Sequence, residues 1–266
     1  RRRAETFGFH LATLDIRQDS LVHRKAVADL LGREDFVELD AAERTTILLD
    51  ALKGELEVPE EPGEELAKTL AVLEAVGRAQ ASYAEHAVGP YIISMARGPD
   101  DTLAVLLLAK AAGLQKDDGT IPLDIAPLFE TADDLNGARA TMETLYAEPV
   151  YRDHLEARGD QQMVMVGYSD SGKDAGIMAA RWALQQGQAE LVKACEAADV
   201  GLTVFHGRGG TISRGGTKTR EAVLAAPAGS VGGRLRMTEQ GEIIHARYGL
   251  RGIALRSLEL ATGAVL

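Results

Sequence analysis

The sequence predicts an α/β chain, a partial (β/α)8 TIM-type barrel core with additional helices, on three observations. Short β-branched runs recur along the chain, each followed by a longer stretch with helical spacing. The runs YII (91–93) and VMV (164–166) are apolar without alternation, as strands covered on both faces are. Ionisable residues stand directly after several of these runs. The first two observations fit an open doubly wound sheet as well as a barrel. The third favours the barrel, whose strand ends converge on one face.

Taken in order, FGFHLATLDI (7–16) alternates as a strand does, and DSLVHRKAVADLLG reads as a helix capped by Asp19 or Ser20 and stopped at Gly32. Residues 33–90 are helical and acidic, with an exposed break at VPEEPGEE. YIISMA (91–96) is the next strand; the helix after it opens on Pro99 and two acids and stops at Gly113. LDIAPLF (123–129) is a strand before a helix capped by Thr131 or Asp133. QQMVMVGY (161–168) leads into a long helix over about 172–199, and GLTVFH (201–206) into a glycine-rich loop. Five or six strands are expected, short of the eight of a closed barrel.

The 266 residues are 45% hydrophobic, enough for a substantial core in one large domain or two small ones. A net charge of -11 and the lack of a Lys/Arg stripe argue against a nucleic-acid partner, so local positive charge suits a small anion. No apolar run is long enough for a bilayer, so no membrane association is expected. The single cysteine, Cys195, excludes an internal disulfide, fits a reducing cytoplasm and reads as a buried thiol. No signal peptide follows the opening arginines, and a chain that does not begin with Met reads as a piece of something longer.

Arg17 follows the first run, Glu130 the third, Asp170 and Lys173 the fourth, and His206 and Arg208 the fifth. Two carboxylates, Glu130 and Asp170, are hard oxygen donors suited to Mg²⁺ or Mn²⁺. Arg17, Lys173 and Arg208 suit a phosphate or carboxylate. In FHGRGGTISRGG (205–216) five glycines flank Arg208 and Arg214, and glycines such as Gly209 and Gly210 let backbone N–H groups approach an anion. Alone, each residue has a plainer role: Glu130 as a helix start, Asp170 as an N-cap, Lys173 as a solvated charge, Arg17 in an ion pair, His206 as a satisfied strand-end histidine. Their common place at strand ends carries the reading. No P-loop, HExxH, paired-cysteine or GxSxG pattern is present, and GRGGTISRGG lacks the spacing of the dinucleotide fingerprint. His10, His23, His86, His154 and His245 lack ligand spacing and read as structural or solvated. Trp182, at helical spacing with Met178, reads as a core anchor, and Tyr168 as lining the site or packing, with packing favoured.

These stretches resemble the phosphoenolpyruvate carboxylase family: FGFHLATLDIRQDS, YIISMARGPDDTLAV, APLFETADDL, MVMVGYSDSGKDAG, LTVFHGRGGTISRGG and GSVGGRLRMTEQGEII occur in family order. The resemblance implies a cytoplasmic α/β-barrel lyase, usually a homotetramer, that uses Mg²⁺ or Mn²⁺ to join bicarbonate to phosphoenolpyruvate, giving oxaloacetate and phosphate. Bicarbonate attacks the phosphoryl group; carbon dioxide released from carboxyphosphate is then captured by the enolate of pyruvate. By position, Glu130 and Asp170 match the metal ligands, and Arg17 and Arg208 the arginines on the phosphate and reacting groups. Lys173 matches a site lysine and His206 the histidine of substrate binding and carboxylation. Arg214 matches a mobile-loop arginine tied to catalysis and to inhibition by acidic effectors. The chain departs from the family at Ser213, Thr217 and Lys218, which changes the loop that Arg214 belongs to. The resemblance places residues 1–266 centrally in a longer chain, without the terminal family regions that hold an essential histidine and effector contacts. A fragment that binds phosphorylated anions without turnover is the alternative, and a different barrel enzyme acting on phosphoenolpyruvate ranks behind both.

Overall fold

The computed structural model describes residues 1–8, 10, 12–168, 172–173, 175–207, 219–239 and 241–266. Its α/β architecture is that of a partial (β/α)8 barrel with additional helices. Two compact units divide the chain: residues 1–128 with 144–162, and residues 129–143 with 163–266.

In the first unit, β1 (Leu14–Asp19), β2 (Val88–Ser94) and β3 (Ile125–Phe129, whose last residue belongs to the second unit) pair in parallel, in chain order. Ahead of them α1 (Arg2–Phe7) corrects the expected start of the first strand at residue 7. Gly8, at φ 59, ends that helix, and β1 begins only where Leu14 finds Val88 to pair with. Helix α2 (Ser20–Leu30) is capped by Asp19, whose carboxylate accepts the Leu21 N–H at 2.8 Å. The acidic stretch resolves into α3 (Ala41–Lys53) and α4 (Glu64–Ser82), separated by the expected loop. A capping box between Asp40 and Glu43 starts α3.

Helix α5 (Pro99–Ala111) opens on Pro99 as the sequence predicts. All ten residues from Asp100 to Ala109 are buried, so it is covered all round, with α2, α3 and α4 packed on it. The acids at its start are held by arginines from two neighbouring helices. The Arg24 guanidinium (α2) grips Asp101 at 2.8 and 3.0 Å, and Arg44 Nε (α3) donates to Asp100 at 2.6 Å. The helix dipole favours negative charge at that end. After α6 (Ala132–Ala147), a separate helix α7 (Pro149–Ala157) was not foreseen in the sequence; Pro149 begins it.

The second unit carries β4 (Gln161–Gly167), β5 (Gly201–Gly207) and β6 (Arg236–Met237). Strand β5 lies parallel to β6, with Phe205 opposite Arg236 and His206 opposite Met237. Its helices are α8 (Ile177–Ala197), α9 (Thr219–Leu224), α10 (Gly241–Tyr248) and α11 (Arg251–Val265). On α8 the buried face runs Ala180, Ala183, Leu184, Gly187, Leu191. Gly187 is needed there, because a Cβ would stand 3.1 Å from the Leu135 carbonyl oxygen of α6. Met178 and Trp182 fall on the opposite face, 83% and 66% exposed, which corrects the reading of Trp182 as a core anchor. Cys195 is buried, as expected. Among the described residues no helix is long and apolar enough to cross a membrane.

Two histidines of the first unit bear on stability. His23 is buried with Nε2 2.9 Å from the Tyr91 hydroxyl, and burial lowers its pKa to about 4. Burial does the same to His154, also to about 4. Both bind a proton more weakly folded than unfolded, so their contribution is complete above pH 6.5 and is lost as pH falls toward 4. Asp101 offsets part of this, because burial and the neighbouring Asp100 raise its pKa and the folded state therefore takes up its proton more readily. Urea denaturation is expected to give a stability about 2 kcal/mol lower at pH 5.5 than at pH 7.5. Equal or greater stability at pH 5.5 contradicts the neutral, buried state of the two imidazoles.

Candidate functional site

In the second unit three consecutive strand tips meet. Glu130 follows β3 directly and is 5% exposed. Its backbone N–H donates to the Asp134 carboxylate at 3.3 Å, while Thr131 and Asp134 cap α6 reciprocally, Thr131 N–H to Asp134 at 2.9 Å and Asp134 N–H to the Thr131 hydroxyl at 3.1 Å. The cap is therefore Thr131, and the acid of the capping pair is Asp134. The helix start needs nothing from the Glu130 side chain.

Glu130 packs against a bare patch of β4. A Cβ on Gly167 would stand 3.1 Å from Glu130 Cα and 3.3 Å from its Cγ, closer than ordinary packing tolerates. Gly207, at the end of β5, repeats the device: a Cβ there would meet Met165 Cε at 3.0 Å and the Val166 carbonyl oxygen at 3.1 Å. Glycine at both tips lets the backbones close up where the ionisable groups emerge.

Tyr168 follows Gly167, and its hydroxyl lies 2.7 Å from His206 Nδ1. His206 itself is buried, and its carbonyl oxygen accepts the Thr238 N–H at 3.0 Å. Beside it on β5, the Phe205 ring carries the Arg236 guanidinium 4.9 Å above its centre. A phenol is a better donor than acceptor, so the bond favours a bare Nδ1 with the ring proton on Nε2. Of the two readings of Tyr168, lining the site and packing, the bond to His206 favours the first. The signal for it was a polar ring directly after a glycine at a strand tip.

The remaining expected residues separate by unit. Lys173 belongs to the second unit and is exposed. Arg17 belongs to the first, inside β1 rather than after it, with Nε donating to the Ser94 hydroxyl at 2.6 Å. Asp170, Arg208, Gly209, Gly210 and Arg214 lie outside the described residues, as do Ser213, Thr217 and Lys218. Among the described residues no group of three or more His, Cys, Asp or Glu side chains is arranged to hold a metal ion. Of the two expected carboxylates only Glu130 is among the described residues, buried at a strand tip, and a carboxylate is a hard oxygen donor for a divalent cation.

Replacing Tyr168 by Phe removes the 2.7 Å bond with little change in ring volume. ¹⁵N NMR of the His206 ring is expected to show one dominant tautomer in the parent and a mixture in Tyr168→Phe. The same single tautomer in both contradicts the role given to the phenol.

Comparison with known proteins bears on this arrangement as a whole. The family model described as phosphoenolpyruvate carboxylase matches residues 1–266. A phosphoenolpyruvate carboxylase of Xanthomonas campestris pv. campestris (strain 8004) is 56% identical over 264 residues, 99% of this chain and 29% of its own length. One from Shewanella loihica is 46% identical over 271 residues, covering 100% of this chain and 30% of its own. A third, from Erwinia tasmaniensis, is 44% identical over 268 residues, 100% of this chain and 29% of its own. The chain therefore spans under a third of the length of these relatives. With the match running from the first residue to the last, the chain belongs to the phosphoenolpyruvate carboxylase family.

Proposed function

We propose that this chain forms the substrate- and metal-holding centre of an enzyme that carboxylates phosphoenolpyruvate with bicarbonate, releasing oxaloacetate and phosphate. The observation that carries the reading is the buried Glu130 at the tip of β3, packed on Gly167 next to the Tyr168–His206 pair, in a chain of this family. Glu130 and Asp170 are the residues that would hold Mg²⁺ or Mn²⁺. Such an ion supplies a Lewis acid that stabilises negative charge building on a substrate oxygen.

The chain's own residues have the following parts. Arg17 and Arg208 hold the phosphate of phosphoenolpyruvate, since a guanidinium offers two parallel donors to it. Gly209 and Gly210 let the loop backbone close over the anion. Lys173 adds a countercharge as phosphate leaves. His206, with its proton placed by Tyr168, orients the carboxyl group being transferred. Arg214 belongs to the closing loop that excludes water, which matters because a proton reaching the enolate would give pyruvate instead of oxaloacetate. Residues 1–266 are the central part of this enzyme, in a cytoplasmic homotetramer that responds to acidic effectors.

A coupled assay for bicarbonate-dependent oxaloacetate formation tests the reading. Glu130→Gln keeps the shape and removes the charge; turnover with Mg²⁺ is expected to fall by at least about 100-fold, on the order of 3 kcal/mol of lost transition-state stabilisation. Turnover near the parent level removes Glu130 from the metal site. Anion binding in the parent without any bicarbonate-dependent turnover favours a binding fragment over an enzyme.

A further inference from the structure

We propose that Ser94 is a positioning residue for Arg17, held in place by a strained turn that the buried ion network of α5 clamps. This rests on the reading of Arg17 as a phosphate ligand. It extends that reading to a residue with no assigned part in the site.

The argument starts from register. Arg17 lies opposite Ile92, and Asp19 opposite Ser94, at the ends of β1 and β2. Residues two apart on a strand share a face, so the Arg17 side chain and the Ser94 hydroxyl are diagonal neighbours on one side of the sheet. Arg17 Nε donates to Ser94 Oγ at 2.6 Å. Fixing the Nε–H fixes the plane of the guanidinium, and with it the direction of the Nη groups that face an anion. That bond restrains one end of a long exposed side chain before the anion binds, so less rotamer freedom is lost on binding.

The turn after Ser94 has no local reason for its shape. Met95 takes φ 56, in the left-handed region that side chains other than those of Gly, Asn and Asp seldom enter. Hydrogen bonds tie this turn to its surroundings, the Ala96 N–H to the Leu128 carbonyl oxygen at 3.3 Å among them. Ser20 Oγ donates to the Met95 carbonyl oxygen at 3.0 Å, and the Arg97 N–H donates to Asp101 Oδ2 at 2.9 Å. Gly98 has no Cβ where Asp100 Oδ1 would meet it at 2.5 Å, so that carboxylate folds back over the turn. Asp100 and Asp101 are themselves fixed by Arg44 and Arg24. The buried acids thus determine where β2 ends and so where its last hydroxyl stands. A turn strained in this way and clamped from the core serves to place a side chain, and the side chain it places is Ser94.

Steady-state kinetics and NMR of the full-length protein test this together. In Ser94→Ala the KM for phosphoenolpyruvate is expected to rise roughly 3- to 10-fold, the size of a lost preorganisation of one side chain, with kcat within about twofold. Ser94→Thr, which keeps the hydroxyl, is expected to retain the parent KM. A Ser94→Ala/Arg17→Ala double variant is expected to be no worse than Arg17→Ala, because Ser94 acts through Arg17. In the absence of substrate, the Arg17 Nε–H is expected to exchange with solvent measurably faster in Ser94→Ala than in the parent. Unchanged exchange overturns the inference, and so does an unchanged KM in Ser94→Ala where Arg17→Ala raises it, or an additive double variant. If Arg17→Ala itself leaves KM unaltered, the phosphate role of Arg17 falls and the functional claim for Ser94 falls with it. The exchange rate still decides whether Ser94 fixes the guanidinium.

Discussion

The backbone of β4 comes so close to Glu130 that a Cβ at Gly167 would crowd it. That constraint, expressed at Gly167, orders the second unit's site. A Cβ 3.1 Å from Glu130 Cα would require a local shift at the point where the acid, the phenol and the imidazole emerge. Gly207 holds β5 against β4 on the same terms. Burial of Glu130 follows from this closeness, and burial makes its carboxylate expensive unless a cation or hydrogen bonds answer it. The same closeness brings the Tyr168 hydroxyl to His206.

The first unit solves a related problem with charge. An α-helix buried on every side gains from apolar packing along its length, but its first turn carries two acids into the interior. Two arginines from different helices answer them, so α2 and α3 are oriented on α5 by ion pairs as well as by packing. Removing one partner of such a buried pair leaves an uncompensated charge, a loss of about 3–5 kcal/mol. The network also reaches the turn that closes β2, which links the stability of the helical layer to the geometry of a strand tip.

Much of this was legible in the sequence, and what was missed has physical causes. The helices with clear stops, such as α2 and α5, read well because Asp19, Pro99 and two glycines are local signals. Strand ends were placed only to within a few residues, since where β1 begins depends on its partner and not on its own alternation. Trp182 was misread because hydrophobicity at helical spacing does not say which face is buried; that is set by Gly187 meeting the Leu135 backbone. Glu130 could be picked out by its position after a strand, whereas Arg17 and His206 proved to lie within one. Tyr168 does follow a strand, but its hydrogen-bond partner, like that of Ser94, has no local signal, because the two bonds reach residues 38 and 77 positions away.

The most direct test of the central claim is a titration of the full-length protein with Mn²⁺, read as paramagnetic broadening of the His206 and Tyr168 ring resonances. An ion seated at Glu130 should broaden these two rings first, with Mg²⁺ reversing the effect and Glu130→Gln abolishing it. Broadening that spares both rings, or that persists undiminished in Glu130→Gln, would contradict a metal site at the tip of β3.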